Sequence, residues 1–567
     1  MESNTERLYL ANEIRLRAEH FGGLVFDRRN GTILEVDRQG LELLLLVRTA
    51  GICPDDPELE NAKDSAGFID RLLKLRILEK SGRHIDSADE LEYLSPHNSA
   101  PWLSAPETVH WAVTYRCGMR CPDCYAARMK FSGQELNTAG AKKMIEKLAG
   151  WNVFQLAIGG GEPLERRDIA ELVKYAADCG LIVHLTTGRQ FINADLLNEF
   201  AGSLTSLQLG IHADWRQTPD WRSYLHDLET LIARAADNGI KTGANLCLSR
   251  STLKNFGPLV GELGNIGLRR FTLLRYKPPH SIKRWRAELP EKEQLLELKS
   301  ELEKLSVIPG VDLRIDCALS FLQSDLTSPI AAEHGIIGCS AGNRIAAIAP
   351  DGSLYPCSQL ITPELCVGNI YSDSPDKVWH DSKTLRKYRS FRNKDSFACS
   401  NCSFCTAREF CGGCRAFAHD ALGGDPGCPA PVKPQLRHCG VKGRMVDFAD
   451  YLELRGQVTV GEYMDRYGIG QKNAIKEIRK IGAVPVTPRA GRKKKDAYRS
   501  TKHSGYNAVR DLQNSIGYTN WGFPYVTEEQ AAEWLGLNDR DYPEWIINLN
   551  DREYSTTGQE DEDYFRA

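Results

Sequence analysis

Long apolar runs are missing from this chain. Nothing in its 567 residues approaches the roughly 18 consecutive apolar positions that a membrane-spanning helix requires. The first 17 residues are charged and lack the apolar segment of a secretory signal. Net charge is nearly missing as well: 72 Lys and Arg against 75 Asp and Glu leave −3, which argues against bulk attraction to nucleic acid or an anionic membrane. The expected location is therefore the cytoplasm, where thiols stay reduced, and the 17 cysteines are expected as metal ligands rather than disulfides. Composition is that of a globular protein, 42% apolar and 26% charged. A chain of this length exceeds one core, and about three or four domains are expected.

Cysteine is plentiful and unevenly spread. Cys117, Cys121 and Cys124 lie in Cys-Gly-Met-Arg-Cys-Pro-Asp-Cys-Tyr, just after the apolar stretch 109–115, which reads as a strand. Ten more fall between Cys339 and Cys439, with Cys317 just upstream, while Cys53, Cys179 and Cys247 stand alone in apolar or helical contexts and read as inert core thiols. A C-x3-C-x2-C spacing on a loop leaving a strand can give three thiolates to a cube of four irons and leave one iron open. A zinc site is the other reading of the spacing alone.

The pattern resembles the signature of the radical S-adenosylmethionine (radical SAM) superfamily. The resemblance implies a [4Fe–4S] cluster on Cys117, Cys121 and Cys124 whose open iron chelates S-adenosylmethionine, and reductive cleavage to methionine and a 5′-deoxyadenosyl radical. It also implies a low-potential electron donor such as a flavodoxin or ferredoxin. Gly159-Gly160-Gly161-Glu162-Pro163 matches the family's Gly-Gly-Glu-Pro segment, so Gly160, Gly161, Glu162 and Pro163 are expected to receive the amino group of that cofactor. Thr187 and His212, near the ends of later strands, are expected ribose or carboxylate contacts, with Asn245 and Arg275 as weaker ones. One departure stands out: Asp123 holds the place where relatives carry an aromatic residue near the adenine, and Tyr125 follows the cysteine instead.

The later cysteines resemble the SPASM extension of peptide-modifying radical SAM enzymes. Cys339, Gly352 and Cys357 match its first half, and Cys402, Cys405, Cys411, Cys414 and Cys428 its second, with a two-residue final spacer where three is usual. The resemblance implies two auxiliary [4Fe–4S] clusters, one on Cys402, Cys405, Cys411 and Cys428. The other takes Cys339, Cys357 and Cys414, with Cys317 as the chosen fourth ligand and Cys366, Cys399 and Cys439 as spares. A four-thiolate zinc site on Cys402, Cys405, Cys411 and Cys414 is the competing reading. The implied activity is hydrogen abstraction from a precursor peptide or protein, leading to oxidation or cross-linking; radical oxidation of a small molecule or tetrapyrrole is the alternative. An iron–sulfur redox sensor with a DNA-binding tail is a third reading, disfavoured by the intact Gly-Gly-Glu-Pro segment. Ser358 follows Cys357 where formylglycine-forming relatives carry an aspartate base, so that reaction is not expected, and no general base is assigned.

The expected fold is α/β. Six strands (109–115, 154–159, 182–187, 207–212, 243–248 and 271–276) alternate with helical stretches, implying a partial (β/α)6 barrel over residues 105–310. Residues 1–98 carry a hairpin around Asn30-Gly31 and two helices, a small α+β, winged-helix-like domain. It resembles precursor-peptide recognition domains, which add a leader peptide to a sheet edge; an unrelated winged-helix decoration is the other reading. Residues 311–442 form the cysteine-rich iron–sulfur domain. Residues 445–567 are a mainly helical tail with a helix-turn-helix pattern over 459–479 turning at Gly468, a possible DNA or protein partner site through Lys476, Arg479 and the basic run Arg489, Arg492, Lys493, Lys494 and Lys495. A second such unit is expected near 527–537 and an acidic end at 560–563.

Overall fold

Runs of β-branched and aliphatic residues, each followed by an amphipathic stretch, fold as parallel strands joined by helices. In the computed structural model these are β6 (Thr108–Thr114), β7 (Gln155–Gly160), β8 (Ile182–Thr187), β9 (Leu204–Ile211), β10 (Lys241–Leu248) and β11 (Arg270–Arg275), all parallel and in sequential order. A seventh parallel strand, β12 (Asp312–Ile315), extends one edge beyond β11. It escapes a sequence reading because it is four residues long and only partly buried throughout. At the other edge β13 (Ile345–Ile348) runs parallel to β6, followed by antiparallel β14 (Ser353–Tyr355) and β15 (Gly368–Asn369), so the cysteine-rich region continues the barrel sheet.

The structure describes residues 7–53, 65–80, 100–119, 133–189, 192–211, 220–276, 287–322, 338–390 and 457–480, with 483–486, 497–500, 546–547 and short pieces within 121–126 and 400–448. Among these no helix is long and apolar enough to cross a membrane, and every cysteine is a free thiol.

Two-residue periodicity gives the barrel sheet two unlike faces. One carries Val109, Trp111, Leu156, Ile158, Val183, Leu185, Leu207, Leu209, Leu246, Phe271 and Leu273, all buried. The intervening helices Thr138–Gly150 and Ile169–Asp178 supply Met144, Ile145, Leu148, Leu172, Val173 and Ala176 to the same core. The other face is polar. His184 bonds Ser206 Oγ (2.8 Å) and Gln155 Oε1 (2.9 Å), and Gln208, Asn245 and Thr272 lie further along it. Burial holds the His184 imidazole neutral, its pKa driven down to about 3. A barrel of this class usually fills its interior with branched apolar side chains, so a polar interior leaves room for a polar ligand.

A separate unit gathers Met1–Ala105 and Gly522–Ala567. Here β1 (Tyr9–Leu10) pairs with β5 (Leu78–Glu79), and β2 (Ile14–Glu19), β3 (Gly22–Asp27) and β4 (Thr32–Asp37) form an antiparallel meander. The expected hairpin joins β3 to β4: Asp27 accepts from Arg29 and Asn30, and Gly31 takes φ +81. Helix Arg38–Ala50 starts directly after, its first turn capped by Asp37, and helix Ser65–Lys74 packs with it around Val25, Val36, Leu44, Val47, Phe68 and Leu72. Ile546–Ile547 pairs antiparallel with β4, making that sheet four-stranded. Arg17 and Glu19 form a buried pair at 2.7 Å, and together they fasten the chain at Ser104 and Ala105 to the meander.

The tail is less helical than its sequence suggests. β16 (Gln457–Thr459), helices Val460–Tyr467 and Gln471–Lys480, β17 (Ala483–Val486) and β18 (Ala497–Ser500) form a helix-turn-helix with a three-stranded sheet in the order β16-β18-β17, a winged helix. The turn is at Gly468 (φ +64), as expected. Phe448, Tyr463, Tyr467, Ala474 and Ile478 make its core. Residues 489–495, 527–537 and 560–563 lie outside the described residues.

Removing one partner of a buried ion pair strands the other. Arg17→Ala is expected to destabilise the N-terminal unit by about 3–5 kcal/mol, read from urea unfolding. Lys74→Ala, which breaks the exposed pair with Asp70, is expected to cost under about 1 kcal/mol in the same assay.

Candidate functional site

The loop that carries Cys117 leaves the C-terminal end of β6, and the Gly-Gly-Glu-Pro segment leaves the neighbouring end of β7. The two exits are stitched together. Gly161 N donates to Thr114 O (2.7 Å) and Glu162 N to Arg116 O (2.8 Å). A side chain on Gly160 would meet Thr114 O at 2.1 Å, and one on Gly161 would meet Arg116 O at 2.3 Å. These glycines are required for the close approach of chain to chain, which fixes the cysteine loop. Glu165 Oε1 then accepts from Gly118 N at 2.7 Å, one residue beyond Cys117.

Glu162 is fully buried and heavily engaged. It accepts from Leu164 N (3.0 Å), Thr187 Oγ1 (2.8 Å) and Gly188 N (3.1 Å). Burial pushes its carboxyl up from the ordinary range, and these donors oppose the shift. A carboxylate has about four acceptor positions, so roughly one remains for a ligand. Thr187 also accepts from Arg189 N, so it serves the geometry of this cluster. Pro163 starts a single 3-10 turn that Glu162 caps. Sequence reading placed Gly160, Gly161, Glu162, Pro163 and Thr187 together, and the structure does bring them together. His212, Asp123 and Tyr125 lie outside the described residues.

Two strands away, Asn245 faces the same polar interior. It is 4% exposed, and neither its Oδ1 nor its Nδ2 has a hydrogen-bond partner. Gly210 stands level with Asn245 and exposed, and a Cβ there would only touch Thr187 O at 3.6 Å and Gly188 Cα at 3.7 Å. The missing side chain leaves a notch between Gly188, beside Glu162, and the unsatisfied amide of Asn245. A small zwitterionic ligand with amine, carboxylate and hydroxyl groups fits such walls. Arg275 does not face this notch; it is bound to Asp425.

Cys117, Cys121 and Cys124 are all half-buried, with Cys124 N donating to Cys121 O at 3.2 Å. Burial raises the Cys117 thiol pKa, and the Met119 N–H counters it. The later cysteines fall into two neighbourhoods. Cys317 is raised well up by burial and then by Asp316 and the nearby thiols of Cys339, Cys414 and Cys357. Cys402, pushed up to about 12 chiefly by burial, neighbours Cys411, which in turn neighbours Cys405. Cys428 N donates to Asp425 O, beside the second set. Among the spare thiols, Cys366 is exposed, while Cys399 and Cys439 lie outside the described residues.

Several of these sulfurs already receive donors. Gln359 N points at Cys357 Sγ (3.4 Å), Gly413 N and Ser320 Oγ at Cys411 Sγ (3.4 Å each), and Asp425 N at Cys402 Sγ (3.3 Å). Donors aimed at sulfur suit thiolates that carry charge, as in iron–sulfur clusters. Among the described residues no three His, Cys, Asp or Glu side chains converge around one point as a single metal ion would need. Ser358, the residue after Cys357, is buried with its hydroxyl 3.1 Å from His110 Nδ1, a pairing between barrel and cysteine region that sequence spacing does not reveal.

Residues 111–253 match the radical SAM superfamily, and residues 339–406 match SPASM, an iron–sulfur cluster-binding domain. The chain is 25% identical over 346 residues to an AdoMet-dependent heme synthase of Methanosarcina barkeri, covering 56% of this chain and 94% of that protein. It is 27% identical over 351 residues to the mycofactocin maturase MftC of Mycobacterium ulcerans, covering 59% and 92%. Its fold is similar to that of Streptococcus suis SuiB solved with the precursor peptide SuiA, with a TM-score of 0.57 at 18% identity over 74% of this chain and 98% of that one.

If the notch holds the ligand, filling it should block binding without unfolding the barrel. Gly210→Leu is expected to weaken S-adenosylmethionine binding at least about tenfold, or about 1.4 kcal/mol, by equilibrium dialysis, and Asn245→Ala similarly. Gly210→Ala is expected to leave affinity within about twofold, since its Cβ meets only ordinary contacts.

Proposed function

Because the chain is an enzyme of the radical SAM class with a SPASM cluster domain, we propose that it abstracts hydrogen from a peptide or protein and so oxidises or cross-links it. The observation that carries this reading is the edge of β4. An extended segment, Ile546–Ile547, adds to it as an antiparallel strand, and strand addition is how recognition domains hold leader peptides. The likeness to mycofactocin maturase, and to an enzyme solved with its precursor peptide, points the same way.

In this reading Cys117, Cys121 and Cys124 hold the cluster that carries S-adenosylmethionine. When bound, that cluster supplies the electron that yields the 5′-deoxyadenosyl radical. Glu162 and the Gly160–Gly161 turn position the amino end of the cofactor, with Asn245 opposite. Cys402, Cys405, Cys411 and Cys428 hold one auxiliary cluster, and Cys317, Cys339, Cys357 and Cys414 the other. A flavodoxin or ferredoxin is the electron donor, and the reducing cytoplasm is the compartment. Residues 1–98 serve peptide recognition, 105–310 radical formation and 311–442 the auxiliary clusters.

The test is anaerobic turnover with reductant and a synthetic peptide taken from a short reading frame beside the gene. Release of 5′-deoxyadenosine with a mass change in the peptide is expected. Undiminished release by Cys117→Ala would refute the assignment.

A second reading concerns the tail, and the winged-helix topology favours it. The second helix of such a fold enters the major groove in many DNA-binding proteins. Here that helix buries Ala474, Glu477 and Ile478, while Gln471, Lys472, Asn473, Lys476 and Lys480 face solvent. Glu477 is occupied by Arg444 (2.8 Å) and Tyr463 (2.6 Å), so its charge is spent within the core. Lysines at 472, 476 and 480 form one stripe at four-residue spacing, which suits phosphates of duplex DNA. Replacing all three by alanine is expected to weaken binding to a mixed-sequence duplex and to lower the salt-dependence slope by up to about 3. Fluorescence anisotropy across a salt series reads both; no binding by the parent chain, or an unchanged slope, would leave a protein-binding winged helix as the account.

A further inference from the structure

A buried charge pair of the cysteine region lies between the two thiol neighbourhoods. Arg275, the last residue of β11, donates to Asp425 through both terminal nitrogens, at 2.6 and 2.9 Å, with side-chain exposures of 7% and 0%. Its guanidinium lies over the Phe417 ring at 3.8 Å and donates to Ala318 O, one residue beyond Cys317. Asp425 touches the rest. Its carboxylate accepts from Cys414 N (2.9 Å) and Gly427 N (2.9 Å), its N–H donates to Cys402 Sγ (3.3 Å), and its carbonyl accepts from Cys428 N (3.3 Å). The packing leaves no slack: a side chain on Gly427 would meet Arg275 Nη2 at 1.9 Å, and one on Gly413 would meet Asp425 Cβ at 2.5 Å.

Asp425 is therefore hydrogen-bonded through its carboxylate to a backbone N–H of the first set and through its backbone N–H to a sulfur of the second. The balancing cation reaches back to the residue after Cys317. A buried ion pair adds little net stability over an apolar replacement, so its place between two sets of cluster ligands calls for another account. Cluster potentials respond to nearby charge, to hydrogen bonds on sulfur and to burial, and all three act here.

We propose that Arg275 and Asp425 form a shared electrostatic bridge that sets the reduction potentials of both auxiliary clusters. The proposal rests on the cluster assignment of the preceding section. Arg275 and Asp425 are positioning residues, acting through the thiolates they adjoin. Asp425→Asn leaves an unbalanced cation and makes each cluster easier to reduce; Arg275→Gln leaves an unbalanced anion and makes reduction harder. A purely structural brace has no such opposition of sign.

The experiment uses the full chain, reconstituted anaerobically, with iron and sulfide content and a redox titration followed by electron paramagnetic resonance. The parent is measured first: if it holds only the iron of one cluster, the cluster assignment fails, and the bridge with it. With auxiliary clusters present, the expected result is an upward shift of their midpoints in Asp425→Asn and a downward shift in Arg275→Gln. The double variant is expected to return toward the parent. Shifts of the same sign in the two single variants, or no shift in iron-replete protein, overturn the proposal while leaving the assignment intact. Where a single variant loses iron, Arg275→Lys decides, since it keeps the charge and gives up the paired bonds: full iron with near-parent potentials supports the bridge, and lost auxiliary iron overturns it.

Discussion

The pairing of two strand exits is the constraint on which the candidate site depends. β6 and β7 run in register until a shift between Ala112 and Thr114, after which Gly160 pairs with Thr114. Beyond the strands, Gly161 and Glu162 keep donating to the backbone of residues 114 and 116. The cysteine loop and the cofactor segment are thus a single backbone construction. Each glycine there works by lacking a side chain that would collide with the opposing carbonyl. Glu162, held by three donors from its own turn and from β8, closes the arrangement against the third strand.

The same logic extends across the sheet. Because β13 pairs with β6, the cysteine-rich region is hydrogen-bonded to the strand that leads into Cys117. Arg344 and Glu107 bind each other, both buried, at that junction. At the far side Arg275 leaves β11 and ends in the cysteine region on Asp425. The cysteine region is therefore bonded to both flanks of the barrel sheet, through β13 to β6 and through Asp425 to Arg275 at the end of β11.

Much of this was legible in the residues. Six strand positions, the Asn30-Gly31 hairpin and the Gly468 turn follow from periodicity and from where glycine is needed. The cysteine spacings pointed to metal-binding thiolates, and their resemblance to the radical SAM and SPASM patterns turned that reading toward iron–sulfur clusters. Other features left no local trace. β12 and β13 are short, and their pairing partners are distant in sequence. Asn245, only a weaker candidate from its place at a strand end, stands out once the structure shows an amide buried without partners. Arg275 reads equally well as a ligand contact until Asp425, 150 residues later, takes both its nitrogens.

The amino-acid sequence by itself determined the chemistry on offer: which thiols come in sets, where the backbone must turn, and which segments alternate as strand and helix. These are short-range properties, set by spacing and by the conformations each residue allows. Only the tertiary structure decided which thiols neighbour which, that the barrel interior is polar with a notch at Gly210, and that one buried ion pair adjoins both auxiliary sets. Those outcomes depend on register and long-range packing, where a single hydrogen bond joins residues hundreds of positions apart.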